Sequence, residues 1–204
     1  MLSATLADTL PTSIVKVAAS LPYSNMTLQH GDGASLHHLA PTSFDSVLSL
    51  DAAYHFSPRA TFVSGAYRAL KPGGRLALTD LIVEESISFF DRLLLRIIFH
   101  FAQVPKENMV NLPEYIDRLA RAGFEGIEVR DISEKVYPGL INFIERREQE
   151  EIARVFNKEW KSMMMYCKVL RWWSGIEGGN RKLKFVLVGA RKSDHRTGHT
   201  EVIY

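Results

Sequence analysis

Strand-like and helix-like segments alternate along this chain, and the alternation is most regular between residues 44 and 83. Residues 44–50 (FDSVLSL) are too densely apolar for a half-exposed strand, and such a run is typical of a strand covered on both faces. Ser57 and Pro58 predict the N-cap and the first turn of a helix. That helix is expected to end at residues 71–74 (KPGG), because proline cannot continue a helix and glycine adopts positive φ. Residues 75–83 (RLALTDLIV) predict the next strand. This order favours an α/β fold with a mostly parallel sheet.

Three more segments extend the predicted sheet. Residues 26–30 predict a short strand that ends in a Gly31-Asp32-Gly33 turn, and residues 126–132 and 184–190 predict two later strands. Asn111 and Glu114 resemble a capping box, and Gly123 is expected to end the helix that this box begins. Residues 86–105 and 139–179 do not fit the alternation, and we expect them to form helical insertions.

Composition excludes several classes of protein. A length of 204 residues predicts one domain, and a formal net charge of +2 argues against a dedicated nucleic-acid binder. The single cysteine, Cys167, cannot form an internal disulfide and fits a reducing compartment. The sequence shows neither a secretory signal nor a run of the ~20 apolar residues that a membrane-spanning helix needs. We therefore expect a cytoplasmic protein.

The stretch FDSVLSLDAAYHFSPRATFVSGAYRALKPGGRLALTDL (residues 44–81) resembles the middle of the class I methyltransferases that use S-adenosylmethionine (SAM), especially those acting on sterols and other small metabolites. HGDGASL (residues 30–36) matches the family's segment near the adenine, and FVLVGARK (residues 185–192) looks like its final antiparallel strand. The resemblance implies a partial Rossmann-like sheet, mostly parallel with the last strand antiparallel, with SAM as cofactor. It also implies methyl transfer to a small, lipophilic metabolite.

The chain departs from the family in its first thirty residues. The family's glycine-rich cofactor loop and the acidic residue after its second strand are expected upstream of residue 30, yet the first glycine is Gly31. We therefore expect a single methyltransferase-like domain (residues 1–192) that lacks the glycine-loop segment and the family's first two strands. Residues 26–30 would then have no neighbouring strand, and residues 193–204 would form a flexible tail. A rival interpretation is a truncated or degenerate homologue that has no activity and acts as a binding or membrane-associated module.

Two carboxylates are candidates for holding SAM. The resemblance places Asp32 near the adenine, with the backbone of Gly33 and Ala34 alongside, and it places Asp51 near the methionine end. The alternative for Asp32 is a turn aspartate that bonds its own backbone. The alternative for Asp51 is a structural turn or cap. For each of the two aspartates, the sequence leaves both the cofactor-binding and the structural interpretation open.

His55 is the candidate catalytic residue. It follows the predicted strand 44–50 at the end where open α/β sheets bind ligands. An imidazole can take a proton from a hydroxyl or an amine as a methyl group arrives. The alternative is a histidine that packs against or caps the next helix. Tyr54 is a candidate for shaping the substrate pocket, or it is a packing residue.

The first insertion carries a wide apolar helical face, formed by Phe89, Phe90, Leu93, Leu94, Ile97, Ile98 and Phe101. It is either buried on the sheet or in a homo-oligomer, or it covers a lipophilic substrate, with Phe90 and Leu94 in the pocket. A third possibility is peripheral membrane contact, since residues 160–173 combine tryptophans with basic side chains. No histidine or cysteine set has metal-ligand spacing, and we predict no metal site.

Overall fold

In a computed structural model the described residues are 2–6, 26–149 and 181–194. Two 3-10 turns lie at Ala53–His55 and Lys106–Asn108. The strands are β1 (Leu2–Leu6), β2 (Met26–His30), β3 (Phe44–Ser49), β4 (Leu70–Val83), β5 (Phe124–Asp131) and β6 (Leu183–Lys192). The α-helices are α1 (Arg59–Ala69), α2 (Phe89–Phe101), α3 (Leu112–Arg121) and α4 (Ser133–Gln149).

Four strands form a mixed sheet in the order β3-β4-β6-β5. β3 pairs parallel with β4, whereas β6 is antiparallel to both β4 and β5. The register joins Leu76 to Ala190 and Asp80 to Val186. β3, β4 and β5 therefore share one direction and β6 opposes it, which confirms the predicted α/β fold with an antiparallel last strand.

The prediction that residues 26–30 lack a neighbour was wrong. β1 pairs parallel with β2, from Leu2 opposite Met26 to Leu6 opposite His30, in a separate two-stranded sheet. The five residues of β1 alternate apolar and polar side chains, which is a weak strand signal in so short a segment. An acidic residue, Asp8, follows β1 in the sequence and lies outside the described residues.

The start of β4 also differs from the expectation. The strand begins at Leu70, which pairs with Phe44, and the next matched pair is Ser46 with Arg75. The intervening residues form an irregularity in which Gly73 has a φ of +74°. Glycine suits this conformation because it has no Cβ. At the start of α1 the N-cap is Pro58, without a side-chain cap, so Ser57 does not have the predicted capping role.

Helices cover the two faces of the four-stranded sheet and form two cores. The first core joins α1 and α3 to one face, through residues such as Phe62, Ala66 and Leu119 against Leu78 and Val188. The second core joins α2 and α4 to the other face. Its buried residues are Leu81, Val83, Leu95, Phe99, Val104, Tyr137, Leu183 and Phe185. The alternation of side chains along β4 and β6 accounts for both cores.

Local signals at the helix ends were predicted well. The Asn111 side chain accepts a hydrogen bond from the backbone N–H of Glu114 at 3.0 Å, which confirms the cap of α3. Gly123 follows that helix with a φ of +97°, and a Cβ there would lie 2.7 Å from Cζ of Tyr67. Both α2 and the first part of the second predicted insertion, in α4, are helical. Residues 150–180 and 195–204, with Cys167, the tryptophan-rich segment and most of the predicted tail, lie outside the described residues.

Candidate functional site

Asp51 and Tyr54 meet just beyond the carboxyl end of β3. The Tyr54 hydroxyl donates a hydrogen bond of 2.5 Å to Oδ1 of Asp51, whose backbone N–H donates to Oγ1 of Thr79 at 2.8 Å. Asp51 has a φ of +53°, a conformation that non-glycine residues adopt uncommonly and aspartate tolerates better than most. Its carboxylate is exposed. The fold thus holds an accessible negative charge at the edge where parallel sheets bind ligands.

His55 ends the 3-10 turn that follows Asp51. Its Nδ1 lies 3.2 Å from the backbone carbonyl of Gln103, and its ring centroid lies 4.4 Å from that of Tyr54. The imidazole is exposed. The structure therefore brings three predicted site residues, Asp51, Tyr54 and His55, into one local arrangement.

Asp32 lies in a turn of its own after β2. Its Oδ1 accepts from the backbone N–H of Ala34 at 2.8 Å, as the turn interpretation requires. A hydrogen bond from the Ser35 side chain, together with that from Ala34, lowers the pKa of Asp32. The carboxylate is exposed and carries a negative charge at neutral pH, so a turn role and a ligand role are compatible.

Helix α1 fixes the loop that follows Asp32. The Arg68 guanidinium donates to the backbone carbonyls of Leu36 and Leu39 at 2.7 and 2.9 Å. A Cβ on Gly65 would lie 2.4 Å from the carbonyl oxygen of Ser35. Only glycine allows the helix to approach the loop so closely.

A buried polar network, not predicted from the sequence, holds the His55 turn in place. The Asn108 side-chain amide donates to the carbonyls of Tyr54 and Phe56 at 2.9 and 2.7 Å. Its Oδ1 accepts from the backbone N–H of Arg59, whose guanidinium lies 2.8 Å from Asp80. The available signal was Asp80 itself, a lone charge inside an apolar strand, since buried charges require partners.

Electrostatics in this network depend on burial. Burial raises the pKa of Asp80, while Arg59 and hydrogen bonds from the Tyr115 hydroxyl and the Leu81 N–H oppose the rise. Burial, with the charge of Asp80 next in effect, raises the pKa of Tyr115 well above its ordinary value. Tyr115 therefore stays protonated and donates to Asp80 at neutral pH.

An open cleft of about 650 Å³ lies beside the His55 turn. Its lining includes Ser57, two residues after His55, and Gln103, whose carbonyl faces the imidazole. The other lining residues are Arg96, Phe99, His100, Val104, Pro105, Lys106, Glu107 and Met109. This size falls within the range of small-molecule sites, and the lining mixes apolar and charged groups.

The predicted pocket residues Phe90 and Leu94 lie on the outer face of α2. Phe90 is 79% exposed and Leu94 is 37% exposed, and the cleft lining includes neither. The opposite face of α2, with Leu95 and Phe99, packs in the core that Tyr54 also contacts. Within the described ranges no helix is long and apolar enough to cross a membrane. The same ranges contain no cluster of three or more histidine, cysteine or acidic residues suited to a metal ion.

Comparison with known proteins identifies a family model and a curated relative. Residues 3–78 match a model described as a methyltransferase domain. The chain is 33% identical over 175 residues to erythromycin 3''-O-methyltransferase of Saccharopolyspora erythraea, an alignment that covers 82% of this chain and 56% of that protein. The chain thus spans little more than half the length of this relative.

Solved structures share the fold at lower identity. Phosphoethanolamine N-methyltransferase 2 of Haemonchus contortus, in complex with SAM, aligns with a TM-score of 0.66 at 22% identity and covers 84% of this chain and 38% of that one. The [4+2]-cyclase SpnF aligns with a TM-score of 0.68 at 17% identity and covers 94% of this chain and 65% of that one. The described architecture is therefore one on which more than one reaction type is built.

Proposed function

Because this chain belongs to the class I SAM-dependent methyltransferase family, we propose that it binds SAM and transfers a methyl group to a hydroxyl of a small molecule. Similarity over 175 residues to an O-methyltransferase carries the proposal. The arrangement of Asp51, Tyr54 and His55 after β3 supports it, since this strand end is where the fold binds ligands.

Two exposed carboxylates suit the polar ends of SAM. Asp32 would accept a hydrogen bond from the adenine amino group, with the backbone of Gly33 and Ala34 beside it, and its lowered pKa keeps it charged. Asp51 would pair with the amino group of the methionine moiety, and the Tyr54 hydroxyl fixes the orientation of its carboxylate. Bound SAM supplies an electrophilic methyl group on a positively charged sulfur.

The chain's own residues would then position the acceptor and remove its proton. His55 would take the hydroxyl proton at Nε2, since Nδ1 faces a carbonyl that can only accept. Methyl transfer is a direct displacement, so orientation and exclusion of water provide most of the rate.

For the acceptor we propose a small metabolite with a substantial apolar surface. The cleft beside the His55 turn offers apolar walls at Phe99, Val104 and Met109 together with the charged Arg96 and Lys106. Helix α2 borders this cleft through Arg96, Phe99 and His100, whereas Phe90 and Leu94 lie on its outer face.

Isothermal titration with SAM and with its demethylated product tests the cofactor proposal. We expect binding that weakens about tenfold in Asp32→Asn and Asp51→Asn, as for loss of a hydrogen bond to a charged group. Asp45→Asn is the matched control, since Asp45 is an exposed aspartate at the opposite end of β3, paired with Lys71. A well-folded chain that binds neither compound would contradict the proposal.

A further inference from the structure

Asn108 holds the backbone on both sides of His55. Asn108 is the last residue of the 3-10 turn Lys106–Asn108 and is 2% exposed. Nδ2 donates to the carbonyl of Tyr54 at 2.9 Å and to the carbonyl of Phe56 at 2.7 Å. The two residues flanking His55 are therefore joined through one amide group, 52 to 54 positions away in sequence.

The orientation of this amide is determined by its partners. The two carbonyls on one side can only accept, so they face Nδ2, while the backbone N–H of Arg59 on the other side can only donate, so it faces Oδ1 at 3.2 Å. The backbone carbonyl of Asn108 in turn accepts from Nη2 of Arg59 at 3.2 Å. Asn108 thus connects the His55 turn to the buried Arg59–Asp80 pair.

The segment that carries Asn108 also determines which ring nitrogen of His55 carries the proton. Nδ1 of His55 lies 3.2 Å from the carbonyl of Gln103, and a carbonyl has no proton to give. The neutral ring therefore carries its proton on Nδ1 and presents an unprotonated Nε2, the form that a general base requires. Gln103 has a φ of +55° and precedes Asn108 by five residues in the sequence.

We infer that Asn108 is a positioning residue for His55, which keeps the turn in the geometry where the Gln103 carbonyl selects the Nδ1–H tautomer. The catalytic consequence rests on the proposed function, because it requires His55 to act as the base. The tautomer itself is a property of the folded chain and needs neither cofactor nor substrate. Loss of the amide donors would release the turn and allow the Nε2–H form.

Imidazole 15N NMR of the unliganded chain, at a pH where the ring is neutral, tests the inference directly. His55→Gln assigns the His55 signals by difference. In the wild type we expect a protonated Nδ1 and an unprotonated Nε2, and in Asn108→Ala and Asn108→Asp a shift toward the Nε2–H tautomer. Asn108→Asp keeps the size of the side chain and removes both donated hydrogen bonds, so it remains informative if Asn108→Ala does not fold.

Asn111→Ala is the matched control, because Asn111 is an asparagine three positions away whose amide caps α3. It should lower stability without changing the tautomer. A wild type with the proton on Nε2, or folded Asn108 variants that keep the wild-type tautomer, would overturn the inference.

Activity measurements separate this inference from the proposed function. If the chain transfers methyl groups, Asn108→Asp should lower kcat about tenfold to a hundredfold with little change in KM for SAM. A chain that binds no SAM, yet loses its Nδ1–H tautomer in the Asn108 variants, would contradict the proposed function and leave the positioning role intact.

Discussion

Nη1 of Arg59 lies 2.8 Å from Oδ1 of Asp80, and the two side chains are only 3% and 0% exposed. The guanidinium also lies 4.7 Å from the ring centroid of Tyr115, whose hydroxyl donates to Oδ2 of Asp80 at 2.8 Å. Both carboxylate oxygens of Asp80 and both terminal nitrogens of Arg59 thus have hydrogen-bond partners away from water, and the pair joins α1 to β4.

Arg59→Met should lower the free energy of unfolding by about 3–5 kcal/mol, because it leaves Asp80 buried without its cation. Urea denaturation measures the loss. Arg121→Met is the control, since the pair of Arg121 with Asp117 is exposed and should contribute less than about 1 kcal/mol. Equal losses in the two variants would show that burial does not determine the contribution of the Arg59–Asp80 pair.

Gly65→Ala should disturb the loop that carries Asp32. The new Cβ would lie 2.4 Å from the backbone carbonyl of Ser35, and overpacking of this kind costs about 1–3 kcal/mol. We expect lower thermal stability together with weaker binding of SAM. Gly139→Ala is the control, since a Cβ there meets nothing within 4 Å and should stabilise α4 by up to about 1 kcal/mol.

Acid should destabilise the fold partly through Asp91. Hydrogen bonds from Lys182 and Ser88 lower the pKa of Asp91 below its ordinary value of 3.8. A carboxylate with a lowered folded-state pKa contributes stability above the unfolded pKa, and this contribution is lost as the pH falls through the folded pKa. The free energy of unfolding should therefore decrease below about pH 4.

Asp91→Asn should flatten this acid-dependent decrease in denaturation curves recorded at successive pH values. Lys182→Met should flatten it as well, and the double variant should lose little more than either single variant, because both changes remove the same ion pair. Fully additive losses would show that Asp91 and Lys182 act independently.

The edge of β3 should promote self-association. Leu48 and Leu50 are 69% and 72% exposed, and within the described ranges β3 pairs with a strand on one side only. Exposed strand edges pair readily with other chains. Leu48→Lys should reduce the weight-average mass in sedimentation equilibrium, whereas Ile116→Lys, on the helical surface of α3, should leave it unchanged.

Local chemistry explains which parts of the fold the sequence could predict. The cap at Asn111 and the end of the helix at Gly123 depend on residues within one turn, and both predictions were correct. The pairing of β1 with β2 was missed because parallel strands contact distant residues, and the five residues of β1 carry little local signal.

The candidate site divides in the same way. Asp51 and Tyr54 are three residues apart, so their hydrogen bond follows from a single turn after β3. The contacts of His55 with Gln103 and of Asn108 with Tyr54 join segments about 50 residues apart. The asparagine lies in a short turn, where no periodic sequence pattern could predict its contacts. Only the tertiary fold brings these groups together.

The short distance along the chain from α2 to Asn108 has a consequence for engineering. The helix ends at Phe101, the Gln103 carbonyl faces His55, and Asn108 follows within seven residues of the helix end. A chimera that exchanges only α2 would combine a helix from a relative with this chain's own loop, which holds the His55 turn. Residues 89–108 should instead be transplanted between relatives as one cassette, so that the helix that borders the cleft and the loop that holds the His55 turn move together.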